Sequence, residues 1–447
     1  MTHVAQKPAD LGVAGWNALL PERAAQPALQ DDVEADYLVV GAGIAGLSSA
    51  RRLRQLDARA SIVIIEAREI GQGPAARNSG FMIDLPHSLA SGSYGGDYSA
   101  DLRDIRMNRA AIAFAADAVG QWGIAASAFS PVGKVNAAAA ASGERHNRDY
   151  ARHLDALQEP YQLLDKTQMQ NLCGSGYYSG GLWTPGTVIL QPAQYVREFA
   201  DALQQQDLCR LYENSPVTDL SRQPQGWLLR SAGGSIRAGK VILAVNGLIE
   251  SFGFYQQRLM HINLYASMTR PLSPADSDAL GGQGSWAFTP SDPLGSTLRR
   301  IEGSDGDRLL IRNRCTYDAS LELPSNRLQQ IAPSHDRALR ARFPMLKEIE
   351  IEHRWSGRLC LSRNNVWALA ELGDGLFSAC CQNGLGLSKG TIAGIVSAEM
   401  AVGSGVTSLI PDYRPQALPS KLFPEPWMSL GARGVIKFKE WRAGKEM

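Results

Sequence analysis

Between residues 36 and 66 the spacing of hydrophobic and polar positions changes twice. Tyr37 to Val40 is a short apolar run that stops at Gly41, after which Leu47, Ala50, Leu53 and Leu56 recur every three positions with arginines between them. A continuous run followed by this longer period predicts a strand, a turn and an amphipathic helix. A second, β-branched run from Ser61 to Ile65 ends at Glu66. The opening therefore reads as a βαβ unit whose two strands lie parallel. Ahead of it, residues 1–35 carry Pro8, Pro21 and Pro27 and end in DDVEAD, which predicts an irregular lead-in with order beginning at Asp36.

Further along, Asp101 to Trp122 has a helical pattern through Ile105, Ala113, Phe114 and Ala118, and Tyr195 to Gln204 repeats it. Val217 to Ile242 reads as a small antiparallel meander, in which VTDL and GWLLRS are followed by the turn AGGS and the strand KVILAV. A β-rich stretch from about His261 to Tyr317 includes STLRRI and RLLIRNRCTY. The last unit is a strand from Leu376 to Cys381, the loop QNGLGLS and a helix from Lys389 to about Ala401. The absence of a repeat with a period of roughly 20–50 residues disfavours solenoids and propellers.

Composition narrows the class. The 447 residues allow two or three domains, and 44% hydrophobic with 20% charged residues is an ordinary globular balance. With 45 basic against 44 acidic residues, the net charge of +1 provides no field for holding nucleic acid. The six cysteines, Cys173, Cys209, Cys315, Cys360, Cys380 and Cys381, show neither a CxxC nor a paired zinc spacing, so no disulfide framework and no metal site is expected. The N-terminus lacks the pattern of a signal peptide, and no window of about 18 apolar residues appears, so no transmembrane segment and a cytoplasmic location are expected.

The strongest chemical signal is Gly41-Ala-Gly43-Ile-Ala-Gly46, a GxGxxG placed directly after a strand and opening a helix. The first glycine permits the tight turn, the second lets backbone approach a pyrophosphate, and the third lets helix and strand pack closely. The helix N-terminus, at Gly43, Ile44 and Ala45, offers free amides and partial positive charge. Glu66 ends the second strand, where its carboxylate can accept from ribose hydroxyls and repel a 2′-phosphate. Both FAD and NAD satisfy this pattern. Three later features favour FAD. Ala67 and Arg68 lead into GQGPAARNSGF, whose Arg77, Asn78, Ser79 and Gly80 can follow a long cofactor toward a ring. The meander from Val217 to Asn246-Gly247 suits the adenine end. Asn383, Gly384, Leu385, Gly386 and Leu387 introduce another helix whose amides can stabilise a reduced flavin.

Taken together, Asp36 to about Gly403 resembles the FAD-dependent oxidoreductases of the D-amino-acid oxidase, glycine oxidase and sarcosine oxidase superfamily. The resemblance is closest to the gamma-glutamylputrescine oxidoreductase branch. It is carried by the lead-in GWNALLPERAAQPALQDDVEAD, the loop Gly73-Pro-Ala-Ala-Arg-Asn-Ser-Gly80 and the segment Trp355-Ser-Gly357. ARNSGFM stands where that branch has a more glycine-rich loop, and QNGLGLS where a GHG-like loop is common. The resemblance implies an α/β fold with an α+β second domain: a Rossmann-like FAD-binding domain built from separated segments, and a substrate domain built around a β-sheet. On that basis the FAD-binding segments are 36–100, 187–250 and 352–415, the substrate domain is 101–186 and 251–351, and 416–447 is a C-terminal tail.

It further implies oxidation of a primary or secondary amine or an amino acid by hydride transfer to flavin N5. The resulting imine hydrolyses to a carbonyl compound and ammonia or an amine, with oxygen, a quinone or another carrier as acceptor. His87, just after the flavin loop, is a candidate for facing the ring or taking a proton. Arg312, Arg314 and Arg358 are candidates for binding an acidic group through the guanidinium fork, and Tyr265, Trp286 and Tyr317 for an apolar wall around an amine. Cys360 lies where sarcosine oxidases carry a covalent flavin link, but the neighbouring CLSRNN lacks their Tyr-Thr pattern, which argues against a bond. Two alternatives stay open: a flavin monooxygenase using NAD(P)H, with Gly373-Asp374 as a faint echo of its C-terminal motif, and a non-catalytic flavin-binding subunit. The basic tail GARGVIKFKEWRAGK reads as a solvated helix or a membrane or partner contact.

Overall fold

The computed structural model describes residues 2–9, 11–86, 95–321, 323–324, 326–346, 348–403 and 407–447. The βαβ unit forms as its pattern dictates. The strand Asp32–Val40 runs parallel to Ile62–Ile65, with Tyr37 opposite Ile62 and Val40 opposite Ile65, and the helix Ile44–Leu56 crosses between them. The first strand starts four residues before Asp36 because Ser235–Ala238 of the meander lies alongside and supplies ladder partners to Asp32–Ala35.

These strands belong to a nine-stranded sheet. The meander strands Val217–Gln223, Gly226–Ser231 and Ser235–Leu243 pair antiparallel. The last of them turns parallel to Asp32–Val40 on one side, while its second half pairs with Leu376–Cys380 on the other. Strand side chains alternate faces. Accordingly Val39, Ile62, Ile64 and Ile242 join one core, whereas Leu38, Val40, Val63, Ile65, Val241 and Leu243 join the core on the opposite face. Helices Ile44–Leu56, Tyr98–Trp122, Pro192–Gln205 and Ser388–Val402 supply residues to the first core. Expected in the substrate domain, the Tyr98–Trp122 helix thus buries Ala111, Phe114, Ala115 and Ala118 in the nucleotide-sheet core.

An eight-stranded sheet forms the second layer, in the order Ile351–Ser362, Leu259–Thr269, Arg308–Tyr317, Thr297–Ile301, Trp286–Pro290, Lys134–Ala138, Gly180–Thr184 and Gln162–Leu164. Ile351–Ser362, expected with the FAD-binding segments, pairs along its length with Leu259–Thr269 and belongs here. Phe81–Met82, Phe129–Ser130 and Val188–Leu190 make a small third sheet.

Both chain ends are tied in. Trp16 in the lead-in is fully buried, edge-on to Trp355 at 6.3 Å, and donates its indole N–H to the Asn78 carbonyl at 2.8 Å. Asn17 donates to the Gly71 carbonyl, and Arg23 pairs with Asp201 and Glu213. The tail forms the helix Trp427–Ala443, fastened by an ion pair between Glu440 and Arg314 at 2.6 Å and by Tyr317 donating to Glu425 at 2.9 Å. Beyond it, Glu446 accepts from the amides of Ala139 and Ala140. Among the described residues no helix is long and apolar enough to cross a membrane.

Candidate active site

Open α/β sheets bind ligands beyond the carboxyl ends of their parallel strands. There, a cleft of about 580 Å³ separates the first sheet from the second, within the roughly 300–1,000 Å³ typical of ligand sites. Its floor begins at the glycine turn. Gly41 has φ +102°, and a Cβ on it would stand 2.7 Å from the Ala244 carbonyl oxygen; a Cβ on Gly46 would stand 1.9 Å from the Gly41 oxygen. The chain's own packing therefore demands these two glycines. Gly43 differs, because a Cβ there meets only Ala75 Cβ at 3.6 Å, an ordinary contact, while its other side opens on the cleft.

Two helices point their N-termini into this cleft. Both lack a side-chain N-cap; the first amides of Ile44–Leu56 remain available to ligand oxygens, whereas the Lys389, Gly390 and Thr391 amides of Ser388–Val402 donate to the carbonyls of Leu385, Gly386 and Leu387, so there the loop ahead of the helix meets the cleft. The helices pack closely through Gly390, whose Cβ would lie 3.2 Å from Ile44, and through Gly394. Between them, Leu385, Gly386 and Leu387 line the cleft with Asn383 and Gly384. Asn383 holds the loop by accepting from the Ser362 amide at 2.7 Å and donating to the Val366 carbonyl at 2.9 Å.

Glu66 reaches the glycine turn from the adjacent strand. One carboxylate oxygen accepts from the Ala42 amide at 2.8 Å and the other from the Arg68 amide at 3.1 Å. Each oxygen keeps lone pairs for further donors. Burial pushes the Glu66 pKa upward, opposed by these amides. Ala67 and Arg68 continue the wall, and Val217, Asn246 and Gly247 face them from the meander and the turn after it.

The loop after Glu66 is held from below. Arg77 lines the cleft, but its guanidinium donates to the carbonyls of Ser356, Gly12 and Leu11 at 2.7–3.0 Å, joining the lead-in to the second sheet. Asn78 bonds within its own turn, accepting from Gly80 N at 2.8 Å. Gly80 has φ +80° and leaves no room for a Cβ, which would lie 2.3 Å from both Arg299 and the Leu190 oxygen. Arg299, unremarked in STLRRI, donates to the carbonyls of Ser79 and Leu190 and lies over the Trp16 ring at 4.8 Å. Burial pulls its pKa down to about 9.

Not all candidate substrate residues meet at the cleft. Tyr265, Arg312 and Arg358 line it from the second sheet. Tyr265 bonds through its hydroxyl to Thr316 Oγ1 at 2.6 Å, and Arg312 reaches Ser79 Oγ at 3.5 Å. Arg314 does not join Arg312. The ladder slips between Leu264 and Tyr265, leaving Arg314 as an extra residue at φ +58°, and this bulge sends its side chain to Glu440 and Ser334. Trp286 is core, stacked on Phe288 at 4.5 Å and near Phe343, and Tyr317 faces Glu425 of the tail. His87 lies outside the described residues. Cys360 lines the cleft as a buried thiol donating to Asn246 Oδ1 at 3.0 Å, with its pKa raised by Cys381 and by burial. That disfavours the thiolate a covalent link requires. Gly373-Asp374 sits in the turn of the hairpin Ala368–Gly373/Leu376–Cys380.

Sequence patterns missed two walls of the cleft. Val4, Lys7 and Leu11 come from the lead-in, and Val435, Ile436 and Lys439 from the tail helix. The tail's amphipathic basic pattern was the available signal; in the lead-in it was the short apolar segment around Trp16, Val13 to Leu20.

Fold and cleft together define a dinucleotide-binding oxidoreductase with a second sheet laid over the cofactor site. Residues 36–400 match the FAD dependent oxidoreductase (DAO) family, and the chain belongs to it. It is 24% identical to a probable oxidoreductase, OrdL, of Rhizobium meliloti over 411 residues, 89% of this chain and 90% of that protein. It is 23% identical to gamma-glutamylputrescine oxidoreductase of Escherichia coli over 381 residues, 84% of this chain and 85% of that one. Among solved structures, glycine oxidase from Geobacillus kaustophilus superposes with a TM-score of 0.68 at 18% identity, covering 86% of this chain and all of that one. The cofactor is FAD. The residues present fit it: Gly43 is a glycine that internal packing does not require, the helix it opens has an uncapped N-terminus on the cleft, and a carboxylate ends the second strand.

Proposed function

We propose that this chain oxidises a primary or secondary amine or an amino acid at the carbon bearing nitrogen. The product is an imine, which water converts to a carbonyl compound and ammonia or an amine. Bound FAD supplies the two-electron acceptor. The chain's residues hold and orient the reactants. Amides at Gly43 to Ala45 take pyrophosphate oxygens, Glu66 takes ribose hydroxyls, and the positive end of the Ser388–Val402 helix, reached through the loop Gly384 to Leu387, favours negative charge on the ring. Loop residues Arg77 to Gly80 keep their shape through the carbonyl bonds of Arg77 and Arg299.

One observation carries the proposal: Arg312, Arg358 and Lys439 line the same cleft as the glycine turn, with Tyr265 beside them. Cations there favour a carboxylate or other acidic group on the substrate. They also disfavour an ammonium, so the bound amine is biased toward the neutral form whose C–H bond can yield hydride. The names of the relatives, gamma-glutamylputrescine oxidoreductase and glycine oxidase, point to nitrogen-bearing substrates. The six unpaired cysteines suit a reducing, cytoplasmic setting. Oxygen, a quinone or another carrier completes the cycle.

The test is an anaerobic panel of amines and amino acids mixed with FAD-loaded protein while flavin absorbance is followed. Bleaching by members of the panel, but not by NADPH alone, is expected. Bleaching by NADPH alone, or by no amine or amino acid, would reject this reaction class.

A further inference from the structure

The tail helix Trp427–Ala443 is packed on one side only. Met428 and Ala443 are buried and Ala432, Ile436 and Glu440 half-buried, whereas Trp427, Leu430, Phe438 and Trp441 are 69%, 59%, 58% and 77% exposed. These four large apolar side chains fall within roughly a quarter of the helix circumference. Phe438 and Trp441 touch one another, with ring centres 6.0 Å apart, and Phe423, just before the helix, is also 59% exposed.

Charge decides what covers this strip. Arg433 and Lys437 border one side and Arg442 the other, the last 3.9 Å from Asp292. The helix's single carboxylate, Glu440, turns inward to Arg314. A twofold contact with a second copy through this face would set basic borders against basic borders with no carboxylate of the helix to offset them. An anionic surface that also accepts aromatic and aliphatic side chains complements every part of it. We propose that the tail helix docks this enzyme on an anionic lipid bilayer, its apolar strip in the headgroup boundary. Val435, Ile436 and Lys439 line the cofactor cleft from the inner side of the same helix, turned away from the strip, so the docked helix lies between the cleft and the lipid surface.

The test is co-sedimentation of the full, FAD-loaded chain with phosphatidylcholine vesicles, with and without phosphatidylglycerol. Sedimentation with the anionic vesicles at low salt, release at high salt and a blue shift of tryptophan emission are expected. Phe438→Ser/Trp441→Ser and Arg433→Glu/Lys437→Glu each lower the bound fraction at least about tenfold. All substituted positions are exposed, so unchanged flavin absorbance and Tm confirm that each variant is folded. The proposal falls if the parent stays in the supernatant with anionic vesicles at low salt, or if the variants bind as well as the parent. It also falls if light scattering shows a dimer that Phe438→Ser/Trp441→Ser dissociates, which would make a second copy the occupant.

Discussion

A Cβ added to Gly394 would lie 2.3 Å from the carbonyl oxygen of Ala45, so the two helices that open the cofactor cleft approach to backbone contact at this point. Separating them moves both N-termini. Gly394→Val is expected to destabilise the protein by about 1–3 kcal/mol, the usual range for overpacking, and to lower bound flavin. Thermal unfolding and the flavin-to-protein absorbance ratio measure the two effects. A variant with unchanged flavin content would show that the helix spacing does not set the cradle.

Glu66 holds the glycine turn and, in the proposed function, also receives the ribose. Glu66→Ala removes the acceptor for the Ala42 and Arg68 amides as well as for the ribose, whereas Glu66→Gln keeps one oxygen. Because hydrogen bonds to a charged group are worth roughly 1.5–3 kcal/mol, FAD affinity is expected to fall about tenfold or more in Glu66→Ala and less in Glu66→Gln. Burial raises the Glu66 pKa, so the parent loses FAD affinity on acidification at a pH above the ordinary carboxylate range. Fluorescence titration of apoprotein with FAD against pH reports both.

Arg312 and Arg358 face the cleft from neighbouring regions of the second sheet. If they receive an acidic group, Arg312→Met and Arg358→Met raise KM for acidic substrates about tenfold or more and leave KM for uncharged amines nearly unchanged. Steady-state kinetics on such a pair of substrates separates recognition from a general loss of fold, which would affect both.

Glu446 adds a second pH dependence, one of folding stability. Burial lifts its pKa to about 7, from an ordinary 4.5. A raised acid pKa favours the protonated folded state, so this stabilisation is complete below pH 4.5 and is lost as pH rises through 7. The difference corresponds to roughly 3 kcal/mol. Glu446→Gln, which keeps an acceptor for the Ala139 and Ala140 amides, is expected to flatten the fall in stability between these pH values. Urea unfolding at several pH values checks the slope.

Local signals were legible where neighbouring residues determine the structure. The strand, glycine turn and helix from Tyr37 to Leu56 follow from periodicity and steric demand within one short segment, and the meander from its turns. Trp16 is different: its partners are Asn78, Gln191 and Trp355, all distant in sequence, so nothing near it announces that the lead-in is packed. The same distance hides Ile351–Ser362 as a strand of the second sheet, since its register is written in Leu259–Thr269. At the site, alternation puts Arg312 and Arg314 on one face, but a register shift against Leu259–Thr269 leaves Arg314 as a bulge and parts them. The glycines and Glu66 were readable because their chemistry is local. The tail's contribution to the cleft was not, because it depends on where the second sheet receives the helix.

Val241 has Leu38 on one side and Leu376 on the other, so the ladder beneath the cofactor joins the beginning, middle and end of the polypeptide. On the ribosome, the first βαβ unit emerges long before the strand that completes its neighbour. Until then the apolar faces of these strands lack the partners that cover them in the folded chain. A chain ending before Leu376 would lack the strand that pairs with Val241–Leu243 and the helix Ser388–Val402, and so both the edge of this ladder and one wall of the cleft.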